Sequence, residues 1–226
     1  MSQVFLGVEQ STTARRWVGP DAALDRHAQM IVQETGFPNA MANVLARLGV
    51  AAADAARFVE PSLRELMPDP LDMKDMEKAA RRINDAAIAG QRIAIFADYD
   101  VDGATSAALL HDWLSQLGNV PTIYVPDRID EGYGPNDEAM QKLAKSHDLI
   151  VCVDCGTLSH GPIDAVAGTD VVVLDHHLGG ETLPSAYAVV NPNRQDETGD
   201  LYYLCAAGVV FMTLAAMNGL RRGAKL

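Results

Sequence analysis

Five short, nearly unbroken apolar runs limit what this chain can fold into: RIAIFA (92–97), TIYVP (122–126), LIVCV (149–153), VVVL (171–174) and AYAVV (186–190). A strand with one wet face alternates apolar and polar residues. A strand apolar at successive positions must be covered on both sides, which is the condition of a parallel sheet between helical layers. Helix-length segments separate the runs. ATSAALLHDWLSQLG (104–118) has apolar residues at helical spacing and closes on Gly118. NDEAMQKLAKSH (136–147) starts at Asn136, a good N-cap, with acids in its first turn. A short helix is expected near 161–167 and a final apolar one over 203–220. The predicted class is α/β, a doubly wound, mainly parallel sheet.

Residues 1–80 follow a different pattern. They are rich in Ala, Arg and Leu, with helical spacing in DRHAQMIVQETG and AMANVLARLGV and no strand signal. Pro61, Pro68 and Pro70 punctuate the chain before MKDMEKAARRINDAAIAG (73–90), an amphipathic helix that leads into the first strand. The expected division is a helical segment over 1–80 and an α/β domain over 81–226.

Composition excludes several function classes. Hydrophobic residues make up 48% and charged residues 21%, so a proper core is expected. The longest nearly apolar run, AAGVVFMTLAAM (206–217), is too short to cross a bilayer. The N-terminus shows no basic region followed by an apolar stretch. Three cysteines do not make a disulfide framework, which points to a reducing cytoplasm and no membrane. The net charge of −12 argues against nucleic-acid binding by a basic surface. It leaves open an enzyme whose acids hold cations.

The acids are not scattered. The first run ends in DYDVDG, which carries Asp98, Asp100 and Asp102; LIVCV ends in Asp154; VVVL ends in Asp175, His176 and His177. Ligands bind at the carboxyl edge of an open α/β sheet, so these residues should converge on one crevice. An isolated acid at a strand end is usually a cap or turn residue. Carboxylates gathered where they repel one another need a positive partner. The EF-hand pattern, with its Glu at the twelfth loop position, is missing. Cys152 and Cys155, with only Cys205 to help, fall short of four zinc ligands. Carboxylates with one or two imidazoles suit Mg²⁺ and, better, Mn²⁺. Two such ions about 3.5–4 Å apart could share an aspartate and activate water for in-line attack on phosphorus.

With these residues in hand, DYDVDG, VDCG and LDHH resemble the first three motifs of the DHH phosphoesterases. Within that family the chain resembles the RecJ-type single-strand-specific exonucleases. RRWVGP (15–20), PSLRELMPDPLDMKDMEKAARRI (61–83), VPDRIDEGYGPN (125–136), VVNPNR (189–194) and AAGVVF (206–211) read like RecJ segments in RecJ order. The resemblance implies Asp98, Asp100, Asp102, Asp154 and His176 as metal ligands, with Asp154 bridging. Asp100, Asp102, Asp154, His176 and His177 then form the catalytic set, and Asp175 orients a neighbouring ligand. His177, Arg128, Gly132, Tyr133, Gly134 and Asn136 are implied as substrate contacts.

The implied activity is metal-dependent 5′→3′ hydrolysis of single-stranded DNA in repair and recombination. Single-strand-binding protein or helicase partners go with it. The family's fourth motif, an aspartate, and its second domain are expected beyond Leu226, and this chain alone is expected to be impaired without them. Two alternatives stand beside this reading. One is a DHH enzyme acting on short oligonucleotides, cyclic dinucleotides or pyrophosphate, and the other is a non-catalytic DHH scaffold.

Overall fold

A computed structural model of the chain describes residues 4–19 and 22–224. The chain divides into two compact units, Met1–Met67 and Pro68–Leu226.

The first unit is helical. It contains α1 (Ala22–Thr35), α2 (Asn39–Arg47), α3 (Ala55–Val59) and α4 (Leu63–Leu66). Its small core is made of Ala28, Ile31, Ala42, Leu45, Ala46 and Ala55. The turn between α1 and α2 is built from local chemistry: Gly36 takes a left-handed φ of 73°, and the Thr35 hydroxyl bonds back to the Ile31 carbonyl.

The second unit opens with α5 (Met76–Ile88), whose buried residues Met76, Ala79, Ala80 and Ile83 fall three and four apart on one face. The strands are β1 (Ile93–Ala97), β2 (Thr122–Tyr124), β3 (Leu149–Val153), β4 (Asp170–Leu174) and β5 (Ala188–Val190). They form one sheet in the order β2-β1-β3-β4-β5, with every pair parallel. The helices between and after them are α6 (Val101–Gln116), α7 (Asp137–Ala144), α8 (His160–Asp164) and α9 (Ala206–Ala224). Ala94, Phe96, Ile150, Cys152, Val171 and Val173 pack on one face with Met140 and Leu143 of α7 and Ile163 of α8. Alternate residues of the same strands serve the opposite face. There α6 packs on β1, α5 on β5, and α9 on both helices. The expected doubly wound α/β class is the observed one.

Two features of this sheet position the site. The chain leaves β1 toward β2 on one side and then crosses to β3 on the other, which makes a topological switch point at β1/β3. In addition, Ala97, Val153, Leu174 and Val190 are in register across β1, β3, β4 and β5. The residues that follow continue the ladder. The Asp98 N–H donates to Val153 O, Asp154 N–H to Leu174 O, and Asp175 N–H to Val190 O. Asp98, Asp154, Asp175 and Asn191 therefore form one polar rung at the carboxyl edge.

Among the described residues no helix is long and apolar enough to cross a membrane.

Candidate metal centre

The first wall of the site is the turn from β1 into α6. Helix α6 starts at Val101, three residues before its apolar pattern predicts, because Asp100 caps it: Asp100 Oδ1 accepts from the Asp102 and Gly103 N–H groups at 2.9 and 3.0 Å. Those donors, Gly103 first, hold the Asp100 carboxyl below its ordinary range. Gly103 is required by contact. A Cβ there would lie 2.4 Å from the Asp98 carbonyl oxygen, so only glycine lets α6 begin this close to β1. Asp98 is buried, its Oδ1 has no hydrogen-bond partner, and burial pushes its carboxyl up.

Asp102 faces elsewhere with both oxygens. It accepts from the Ala206 and Ala207 N–H groups at 2.8 Å each, and so neutralises the N-terminus of α9 from 104 residues away. It stays near the centre nonetheless, with Oδ2 at 3.7 Å from His176 Nε2.

Asp154 ends β3 in a left-handed conformation, φ 60°, which costs a non-glycine residue energy and turns the side chain out of the strand's alternation. The carboxylate is buried. Its Oδ1 lies 3.4 Å from His176 Nε2 and 4.0 Å from His177 Nδ1, without a hydrogen bond to either. Burial, then the charges of Asp102 and Asp100, push the carboxyl up to about 8.

The third wall is the DHH turn after β4. Burial alone would raise Asp175, but the His177 ring and Thr157 donate to it and bring it down to about 2. Its Oδ1 accepts from His177 Nδ1 at 2.8 Å and from the His176 and His177 N–H groups; Oδ2 accepts from the Thr157 N–H. The pairing with Asp175 pushes the His177 imidazole up from its ordinary value.

Among the described residues, two groups of ligand atoms lie close enough to hold an ion: Asp98, Asp100 and Asp154, and Asp154, His176 and His177. Asp154 belongs to both. Its orphaned oxygen and that of Asp98 are what a cation would satisfy, so the donor set fits hard or borderline divalent ions.

The loop from β2 to α7 is only partly at this centre. Tyr133 reaches it, with its hydroxyl 3.2 Å from both the Asp154 carbonyl and His177 Nδ1. Gly132 and Gly134 flank it with positive φ. Arg128 lies over the Tyr99 ring, 5.4 Å from its centroid, and Tyr99 meets Tyr133 edge-on at 6.4 Å. Asn136 caps α7 through the Ala139 N–H and also donates to Glu131, away from the two ligand groups. Motif reasoning missed Thr157, Asn191 and Asn193 as parts of the site. The motifs give these residues no role, and only the strand register brings them beneath the histidines.

The chain belongs to the DHH family: residues 92–225 match the DHH family, N-terminal domain. Within it, the similarity is to RecJ. The chain is 34% identical to the single-stranded-DNA-specific exonuclease RecJ of Bacillus subtilis over 79% of its own length and 23% of that protein. Against the Escherichia coli protein of the same name the figures are 37%, 74% and 30%. It thus spans about a quarter to a third of these relatives. Among solved structures, RecJ of Thermus thermophilus in complex with Mn²⁺ superposes with a TM-score of 0.70 at 27% identity, covering 90% of this chain and 28% of that one. A second manganese-bound exonuclease RecJ gives 0.61 at 33% identity, covering 66% and 38%.

Proposed function

We propose that this chain carries the metal-binding catalytic portion of a phosphodiesterase that degrades single-stranded DNA from its 5′ end. The observation that carries this reading is the pair of ligand groups joined at Asp154, with buried oxygens left unpaired in Asp98 and Asp154. RecJ relatives and their manganese-bound structures support it.

In this reading Asp98, Asp100, Asp154 and His176 hold Mn²⁺ or Mg²⁺, and Asp154 is common to both groups. Asp102 contributes at the rim while it anchors α9. Bound there, the ions would supply charge neutralisation at phosphorus and would lower the pKa of a water toward neutrality. The chain's own residues do the rest. Asp100 and Asp154 offer oxygens within 4.8 Å of one another, and burial together with this crowding of like charge pushes the Asp154 carboxyl up to about 8. Asp175 fixes His177 with Nδ1 protonated, since a carboxylate can only accept. The same pairing strengthens the ring's hold on a proton, which suits it to donate to a phosphate oxygen at the rim. Tyr133 and Arg128 extend that rim along an aromatic row toward the substrate backbone.

The test is incubation of the full-length protein with 5′-labelled single-stranded DNA and Mn²⁺. Release of labelled mononucleotide that stops in EDTA and with Asp154→Ala is expected. Digestion indifferent to Asp154→Ala, or equally fast on duplex DNA, overturns the proposal.

A further inference from the structure

We infer that Asn191 is a positioning residue for the histidine pair, with Asn193 as its accessory. This deepens the reading above, although its geometry does not depend on a bound ion.

Residues His176 and His177 follow β4 outside any regular element, so nothing in the sheet or a helix satisfies their backbone. Side chains do so instead, at all four groups. Asp175 accepts both N–H groups. Asn191 Nδ2 donates to the His177 carbonyl at 2.8 Å, and Asn193 Nδ2 donates to the His176 carbonyl.

Asn191 is fully buried and its amide is fully used. Its second Nδ2 hydrogen goes to Thr157 Oγ1 at 2.8 Å, and its Oδ1 accepts the Asn193 N–H at 2.7 Å. Thr157 in turn donates its N–H to Asp175 Oδ2. The loop Asp175–Thr157–Asn191–His177–Asp175 is therefore closed by hydrogen bonds, and Asn191 is the member that ties the turns after β3, β4 and β5 together.

The chemistry at this position is specific. An inverted amide would set Oδ1 against the His177 carbonyl, so only one orientation satisfies the site. Aspartate, the same shape without donors, cannot replace it. Asn191 sits on the same rung as Asp98, Asp154 and Asp175, one strand further out. That is why it can reach beneath the imidazoles without touching the ligand atoms. Its effect on a bound ion would pass through the orientation of His176 and His177, as outer hydrogen-bond partners commonly act.

The decisive readouts are the imidazole ¹⁵N shifts of His177 in the metal-free chain, which report its tautomer, and Mn²⁺ affinity by calorimetry. The variants are Asn191→Ala, Asn191→Asp and the milder Asn193→Ala, each checked for cooperative unfolding. The wild type should show His177 protonated at Nδ1. A folded Asn191 variant should show an averaged tautomer and Mn²⁺ binding weaker by about 10- to 100-fold. Asn193→Ala should disturb His176 more than His177, and it decides the matter if neither Asn191 variant folds. Unchanged ring shifts in the folded variants overturn the inference. If the wild type takes up no Mn²⁺, the metal reading fails, while the ring shifts still judge the role of Asn191.

Discussion

Asp154 and Asp175 end neighbouring parallel strands, sit on the same rung of the sheet and are equally buried, yet their chemistry is opposite. Asp175 is surrounded by donors from Thr157, His176 and His177, which overcome burial and bring its carboxyl to about 2. Asp154 has like charges for neighbours and an unpaired oxygen, and it rises to about 8. The fold compensates one of these carboxylates internally and leaves the other for something it does not itself contain. A buried carboxylate without a donor costs stability. Asp98 and Asp154, in one ligand group, each leave one buried oxygen without a donor, which is intelligible as the cost of a cation site.

The largest expected effect comes from removing that asymmetry at Asp154. Asp154→Asn takes a ligand from both groups, so Mn²⁺ affinity should fall by more than the ~100-fold associated with outer partners. The same change should raise the thermal stability of the metal-free protein at neutral pH, because an amide need not take up a proton on folding as the Asp154 carboxyl does. Calorimetry and thermal melts of the two proteins check both halves. A variant that keeps its metal, or melts lower without it, contradicts the contrast.

Titration gives the contrast a sign. Metal-free folded Asp154 keeps its proton up to about 8, whereas the unfolded carboxyl releases it near ~4. Between those values the folded state binds more protons, so this group's contribution makes stability fall as pH rises. Asp175 works the other way. Its contribution is present above the unfolded carboxyl value near ~4 and is lost as pH falls through about 2. Metal uptake should release a proton from Asp154, so Mn²⁺ affinity should climb with pH until about 8 and then level off. Asp154→Asn should flatten the melting profile on the neutral side alone.

Asp175→Asn attacks the compensated partner. An amide can still accept through one oxygen, but it loses the charge that matches His177 and places an N–H₂ among donors. From its displacement to about 2, the loss should be about 2–3 kcal/mol of stability at neutral pH, shrinking as pH falls toward about 2. Chemical denaturation at pH 7 and pH 3 measures it. Equal destabilisation at both pH values would mean that Asp175 acts by shape and not by charge.

How much of this was legible in the sequence depends on distance along the chain. The apolar runs fixed the parallel sheet. Because three of them end in an acid, placing the strands in register also lined up Asp98, Asp154 and Asp175. Asp100 as a cap could be read locally once α6 was seen to start at Val101. What could not be read depends on partners far away in sequence. Asp102 looks like a third ligand in DYDVDG, and nothing local shows that its oxygens also cap α9. Asn191 looks like the start of a turn in NPN, yet it is the fourth residue of the polar rung. The left-handed backbone at Asp154 carries no signature, because aspartate adopts it more often than most residues but in a small minority of positions.

That backbone raises the last and smallest expectation. The Asp154 peptide is held from the sheet side by its N–H to Leu174 O, and from the loop side by the Tyr133 hydroxyl on its carbonyl. Tyr133→Phe removes the second hold but keeps the ring packed edge-on against Tyr99 and His177. One lost hydrogen bond is worth about 0.5–1.5 kcal/mol. In a chain of this size each kcal/mol shifts the melting temperature by about 2–4 °C. Mn²⁺ affinity should then change by less than ~10-fold, because an alteration of that energy is at most about tenfold in an equilibrium constant. A larger loss of affinity would show that the sheet alone does not hold Asp154 in its strained form. The Tyr133 loop would then be part of what keeps the uncompensated carboxylate turned toward its partners.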